Sequence, residues 1–157
     1  MGAVPLGFQV HNLDGELFQR LDLTEFTSFE MSGGVRYSDT AANAGAQLNN
    51  TAGVGGLLGF RGATRPWDGG EFYARGKYAV VMGEGAVPAL PESFNVVRSQ
   101  YELGIGYEHQ FCLDSGWIIA PRIGAEFQAY EGGNPIALID PSDVALGGFV
   151  IGLAISR

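Results

Sequence analysis

The chain is poor in the residues that would tie it down covalently or draw it to acidic partners. Of its 157 residues one is cysteine, Cys112, and one is lysine, Lys77. A single cysteine excludes an intrachain disulfide. No apolar run approaches the roughly 18 to 20 residues of a membrane helix, and amphipathic helical periodicity is nearly absent. The opening MGAVPLGFQV has neither the basic n-region nor the long apolar h-region of a signal peptide. Charged residues make up 17%, against a usual figure of about 25%, while the apolar fraction is 46%. The net charge of −8 excludes a general electrostatic footprint for nucleic acid.

Catalytic and ligand motifs are equally scarce. Neither a P-loop nor a G-x-S-x-G element occurs. Gly53-x-Gly55 is followed by Leu58 where a dinucleotide fingerprint needs glycine. His109 and Cys112 are two metal-capable side chains without further ligands, and His11 stands alone. Asp14 and Glu16 point the same way on a strand, about 7 Å apart, but with arginines available as partners they read as structural. The expectation is therefore no enzyme, no metal and no cofactor.

Glycine, by contrast, is abundant at 25 residues, and period-two alternation runs throughout. It marks about seven strands separated by turn clusters. The first covers about Phe8 to Leu23; the later ones centre on Val35, Leu58, Tyr78, Leu103, Ile123 and Ile151. Pro66-Trp67-Asp68-Gly69-Gly70 and Asp114-Ser115-Gly116 read as tight turns. A polar loop is expected around Asn49 and Asn50, with proline loops at Pro88 to Pro91 and Asn134 to Pro141. Short connections between successive strands imply an antiparallel meander. The fold class is thus all-β: an antiparallel up-and-down transmembrane β-barrel of about 7–8 strands, one domain over 1–157. An odd count leaves an open edge, so an eighth strand is expected near residues 1–10 or 40–50, or upstream.

The distribution of charge chooses the inner face. Seven of nine bases share the polar parity: Arg20, Arg36, Arg61, Arg75, Lys77, Arg98 and Arg122. Seven acids lie there too, among them Asp14, Glu16, Glu102 and Glu126. Arginine, with its bidentate fork, suits ion pairs in an enclosed space. These residues are expected to form a lumen network. Leu17, Met31, Leu58, Val80, Leu103, Ile123, Phe149 and Ile151 would face lipid, and Tyr37, Phe72, Tyr107 and Trp117 would form aromatic girdles around an aliphatic middle. The glycines are assigned to the lumen face and the turns. The remaining acids, including Asp39, Asp68, Glu71, Glu84, Glu92, Glu131, Asp140 and Asp143, are placed in or beside turns. The alternative is a soluble lipocalin-like barrel, its arginines in water and its hydrophobic ligand held among Leu103, Ile123 and Ile151.

Several segments are similar to one family. Leu13-Asp14-Gly15-Glu16-Leu17, followed by Met31-Ser32-Gly33-Gly34-Val35-Arg36-Tyr37, resembles the paired signature of the Legionella-type pore-forming outer-membrane proteins. Gly53 to Gly59, Ser99 to Tyr107, Arg122 to Gln128 and Leu146 to Phe149 resemble that family's later strands. The resemblance covers roughly residues 8 to 157. It implies a β-barrel of the Gram-negative outer membrane, in contact with lipid and with other membrane-protein subunits as further partners. A structural subunit of a membrane complex is a third reading.

Overall fold

A computed structural model describes residues 6–44, 47–86, 93–132 and 144–156. Among these residues there is no helix, and strands account for nearly everything. The elements are β1 (Leu6–Asp22), β2 (Thr27–Ala44), β3 (Gln47–Trp67), β4 (Gly70–Ala86), β5 (Phe94–His109), β6 (Phe111–Cys112), β7 (Ile118–Glu131) and β8 (Val144–Ser156). They form one antiparallel up-and-down sheet, ordered β1-β2-β3-β4-β5-β7 with β8 beyond β7, curled into a half-barrel.

β6 continues β5 in one register, since Glu108 faces Arg122 and Phe111 faces Ile119. The break falls opposite Pro121, which has no N–H for the ladder. Seven full-length strands therefore make the wall. Among the described residues, neither stretch expected to hold an eighth strand does so. Residues 6–10, 40–44 and 47–50 instead lengthen β1, β2 and β3, and Asn50 lies in β3 rather than in a loop. The loops at Pro88 to Pro91 and Asn134 to Pro141 lie outside the described residues.

All the tight turns among the described residues sit at one end. Leu23 and Thr27 close a turn through 24–26, with the Leu23 N–H donating to the Thr27 carbonyl at 2.9 Å. Gly69 and Gly116 have φ of 78° and 80°, the left-handed values that glycine reaches without a Cβ clash. Gly116 ends the three-residue loop of the β6–β7 hairpin, where its N–H donates to the Leu113 carbonyl at 2.9 Å.

The polar parity faces inward, on the concave side. Side chains on strands three apart meet there: Asp14 of β1 with Lys77 of β4, and Arg36 of β2 with Gln100 of β5. Tight curling needs clearance. A Cβ on Gly55 would run into the backbone of Val80 and Val81, and one on Gly104 would meet the Arg75 side chain at 3.0 Å. Not every glycine serves this purpose: Gly15, Gly33, Gly56, Gly62, Gly76 and Gly147 lie on the outward parity. The larger share of the strand glycines, Gly34, Gly53, Gly59, Gly106, Gly124 and Gly152 among them, lies on the polar parity as expected.

Candidate functional site

The lumen is filled by side chains in its middle and toward the loop end. Arg36, Gln100 and Tyr130 are 1%, 1% and 2% exposed, and they share the concave parity with Leu57, Ala79, Val81 and Val96, all buried. Four of these fillers are apolar, and charge, the sequence signal that marks this parity, does not single them out.

Arg36 organises the centre. Its Nε and Nη2 donate to the two carboxylate oxygens of Asp14, both at 2.7 Å. Its Nη1 donates to Gln100 Oε1 at 3.0 Å and lies 2.7 Å from Glu102 Oε1. Gln100 Nε2 donates onward to Ser38 Oγ at 2.8 Å. Lys77 Nζ sits 3.3 Å from Asp14 Oδ2 and pairs with Glu16, which also accepts from Ser32 Oγ at 2.8 Å. Four strands thus contribute to one network. A buried guanidinium needs several acceptors, and the fork geometry supplies them.

Two further groups lie toward the turn end. Arg75 pairs with Glu126 across β5. Arg61 and Arg65 both hold Glu71, with Arg65 Nε at 2.7 Å from Oε2, and the Arg61 guanidinium lies 5.3 Å from the centre of the Tyr73 ring. Glu71 is 5% exposed. It lies beside the turn, as expected, but is buried rather than solvated: the turn ends at Gly69 and β4 begins at Gly70. Asp39 and Glu84 also belong to strands rather than turns. Asp140 and Asp143 lie outside the described residues, as does Glu92. A polar recess of about 380 Å³ remains open among Glu16, Glu30, Ser32, Arg61, Arg75 and Lys77.

Three of the bases expected in the network stand apart from it. Arg20 pairs with its neighbour Asp22 at an exposed rim. Arg98 donates to Thr40 Oγ1 and, at 3.3 Å, to the Gly132 carbonyl, with no carboxylate partner among the described residues. Arg122 is exposed and lies across Gly152 on β8, where a Cβ would meet its side chain. These separations depend on curvature, which alternation alone does not encode.

The outward face is apolar. Phe149, Ile151 and Leu17 are 91%, 83% and 86% exposed; Met31, Leu58, Leu103 and Ile123 are exposed, and Val80 is half-buried on the same face. The pocket that a lipocalin-like reading requires is absent from the described residues, because Leu103, Ile123 and Ile151 point away from the concave side. What exists instead is an open groove of about 790 Å³ on the outside, floored by Gly62, Ala74 and Ala125 between Phe29, Phe72 and Phe149.

At the turn end Trp67, Phe72 and Tyr107 stack, with ring centres 5.7 Å apart for Trp67–Phe72 and 4.9 Å for Phe72–Tyr107. His109 extends the cluster, with Nδ1 2.8 Å from the Tyr107 hydroxyl. Trp67 joins because a bulge between Thr64 and Trp67 adds one residue to β3, and one added residue turns a side chain to the other face. Trp117 is exposed at this same end, and Tyr37 is exposed toward the other. The middle of the face is not purely aliphatic, however. Tyr78 and Tyr101 pair there with ring centres 5.0 Å apart, and the Phe60 ring covers Gly76.

Among the described residues no group of three His, Cys, Asp or Glu could hold a metal ion, and no helix is long and apolar enough to cross a membrane. No family model, no curated protein and no solved structure matches the chain.

Proposed function

We propose that the chain is an outer-membrane β-barrel protein whose outward face meets lipid and whose lumen is closed by an arginine–carboxylate network. One observation carries the reading: along β2, β3, β4, β5 and β7 the apolar outward parity is the more exposed one. A face of this kind in water would be an aggregation surface far above the few hundred Å² that monomers expose. Its height also fits. From Phe72 to Met82 the outward residues of β4 run about 34 Å along the strand, or about 26 Å along the axis at a tilt of about 40°. Beyond Met82 the outward residue is Glu84, beside Asp39 two strands away.

The role is anchoring or structural, with at most narrow conduction, because Arg36, Gln100 and Tyr130 occupy the space that a wide channel would need. Among the described residues nothing in the lumen sets up a nucleophile beside a base, and no enzymatic activity is part of the proposal. Membership of the Legionella-type pore-forming family and residence in a Gram-negative outer membrane belong to the same reading.

The test is depth-resolved fluorescence. In dimyristoylphosphatidylcholine vesicles doped with brominated lipid, Trp67 and Trp117 should be quenched most by bromines near the headgroups. A chain that stays monodisperse in detergent-free buffer and escapes quenching would overturn the proposal.

A further inference from the structure

The sheet register sets a row of charges along the polar recess of the lumen. Glu30 of β2 lies opposite Arg61 of β3, and Arg61 lies opposite Arg75 of β4. All three line the recess, as does Lys77, two residues along β4 on the same face. Like charges directly opposite one another destabilise a sheet, yet Arg61 and Arg75 share no carboxylate among the described residues. Each turns only its Nη2 to an acid, Arg61 to Glu71 and Arg75 to Glu126. Their Nε and Nη1 donors have no acceptor among the described residues.

Glu30 is the complement of this arrangement. Its two cross-strand neighbours are bases, but Arg20 is taken by Asp22 and Arg61 by Glu71. Half-buried, Glu30 has no hydrogen bond or ion pair among the described residues. Glu16, the other acid of the recess, is held by Lys77 and Ser32. The recess thus presents free guanidinium donors on one wall and a free carboxylate on the next.

A simple anion there would lie against Glu30 and Glu16, and a simple cation would lie against three bases. A molecule carrying both signs satisfies both walls. Two guanidinium forks side by side match a planar carboxylate. Phe18 lines the same recess and is 71% exposed, an apolar surface beside the charges. Solvent reaches the site, since the Arg61 and Arg75 side chains keep 30% and 37% exposure. Toward the loop end it stops at Glu16 and Lys77, members of the central network.

We propose that this recess binds a free α-amino acid with an apolar side chain. The carboxylate sits on Arg61 and Arg75, the ammonium on Glu30, and the side chain against Phe18. The site does not depend on whether the outward face meets lipid.

The experiment is calorimetric titration of the full chain in detergent micelles with three related probes. L-Leucine carries both charges, 4-methylpentanoate lacks the ammonium and 3-methylbutylamine lacks the carboxylate. Leucine should bind, and each analogue should bind at least about tenfold more weakly, having lost a charge-assisted contact. Glu30→Gln has no partner to lose, so it should fold as the parent does. It should weaken leucine about tenfold and leave 4-methylpentanoate unchanged. Arg61→Lys keeps the charge beside Glu71 but loses the fork, and should weaken leucine and 4-methylpentanoate alike. If that variant fails to fold, the Glu30→Gln comparison decides alone. Absence of leucine binding at millimolar concentration would overturn the proposal. So would equal binding of leucine and 4-methylpentanoate, which leaves a plain anion site, or leucine binding that Glu30→Gln does not change. Tighter binding of phosphoethanolamine than of leucine would assign the recess to a lipid headgroup instead.

Discussion

Replacing Arg36 tests the central claim about the lumen, that its buried charges stand only as a set. In Arg36→Met the side-chain volume is nearly kept, but two bonds to Asp14 at 2.7 Å, one to Gln100 at 3.0 Å and the 2.7 Å contact with Glu102 are lost. Asp14 and Glu102 then face the lumen with only Lys77 nearby, 3.3 Å from Asp14. Breaking a buried pair from one side costs about 3–5 kcal/mol. The Asp14 and Glu102 side chains keep 19% and 24% exposure, so water relieves part of the penalty. The expected loss is therefore at the low end, about 3 kcal/mol, or roughly a hundredfold in the folding equilibrium. Urea unfolding of the vesicle-refolded chain, followed by tryptophan emission, measures it. Neutralising the whole cluster with Arg36→Met, Asp14→Asn and Glu102→Gln should bring stability back to within about 1 kcal/mol of the parent. Arg20→Met, at an exposed rim pair, is the control and should leave the midpoint unchanged. A loss below about 1 kcal/mol for Arg36→Met, or a triple variant no better than the single, would refute the reasoning.

Other consequences follow from the same geometry. Leu58→Arg changes a side chain that is 66% exposed; it should cost about 2–4 kcal/mol in bilayers, where lipid cannot solvate the charge, and little in a water-facing strand. The same urea titration distinguishes the two. Gly55→Val should abolish folding, because its Cβ meets the Val80 and Val81 backbone, whereas Gly56→Val points into open space and should fold; refolding yield in vesicles reports both. Deleting Pro66 removes the bulge that turns Trp67 outward. In a Trp117→Phe background the remaining tryptophan should then lose its quenching by brominated lipid, and unchanged quenching would show that the bulge does not set its direction.

Much of the fold was legible in the residues. Strand period follows from local alternation, since successive side chains point to opposite faces whatever the strand does at long range, strand order follows from the short connections, and the charge on one parity points to the concave face. The hairpin turns at Gly69 and Gly116 were readable for the same local reason. Of the network, Asp14, Glu16, Arg36, Arg61, Arg75, Lys77, Glu102 and Glu126 were placed on the lumen face by parity, and each has an ionic partner there.

Partners were a different matter. That Arg36 takes Asp14 and Glu102, that Glu71 is buried between Arg61 and Arg65, and that Arg98 has a hydroxyl and a carbonyl rather than a carboxylate depend on how tightly the sheet curls. Curl sums small twists over seven strands, so no window of sequence contains it. The direction of Trp67 likewise turned on one bulged residue. Sequence alone determined which side chains of a regular strand share a face, because that is a two-residue property. The tertiary structure alone decided which side chains meet across the lumen and that, among the described residues, β1 and β8 do not pair, because those depend on the radius of the whole sheet.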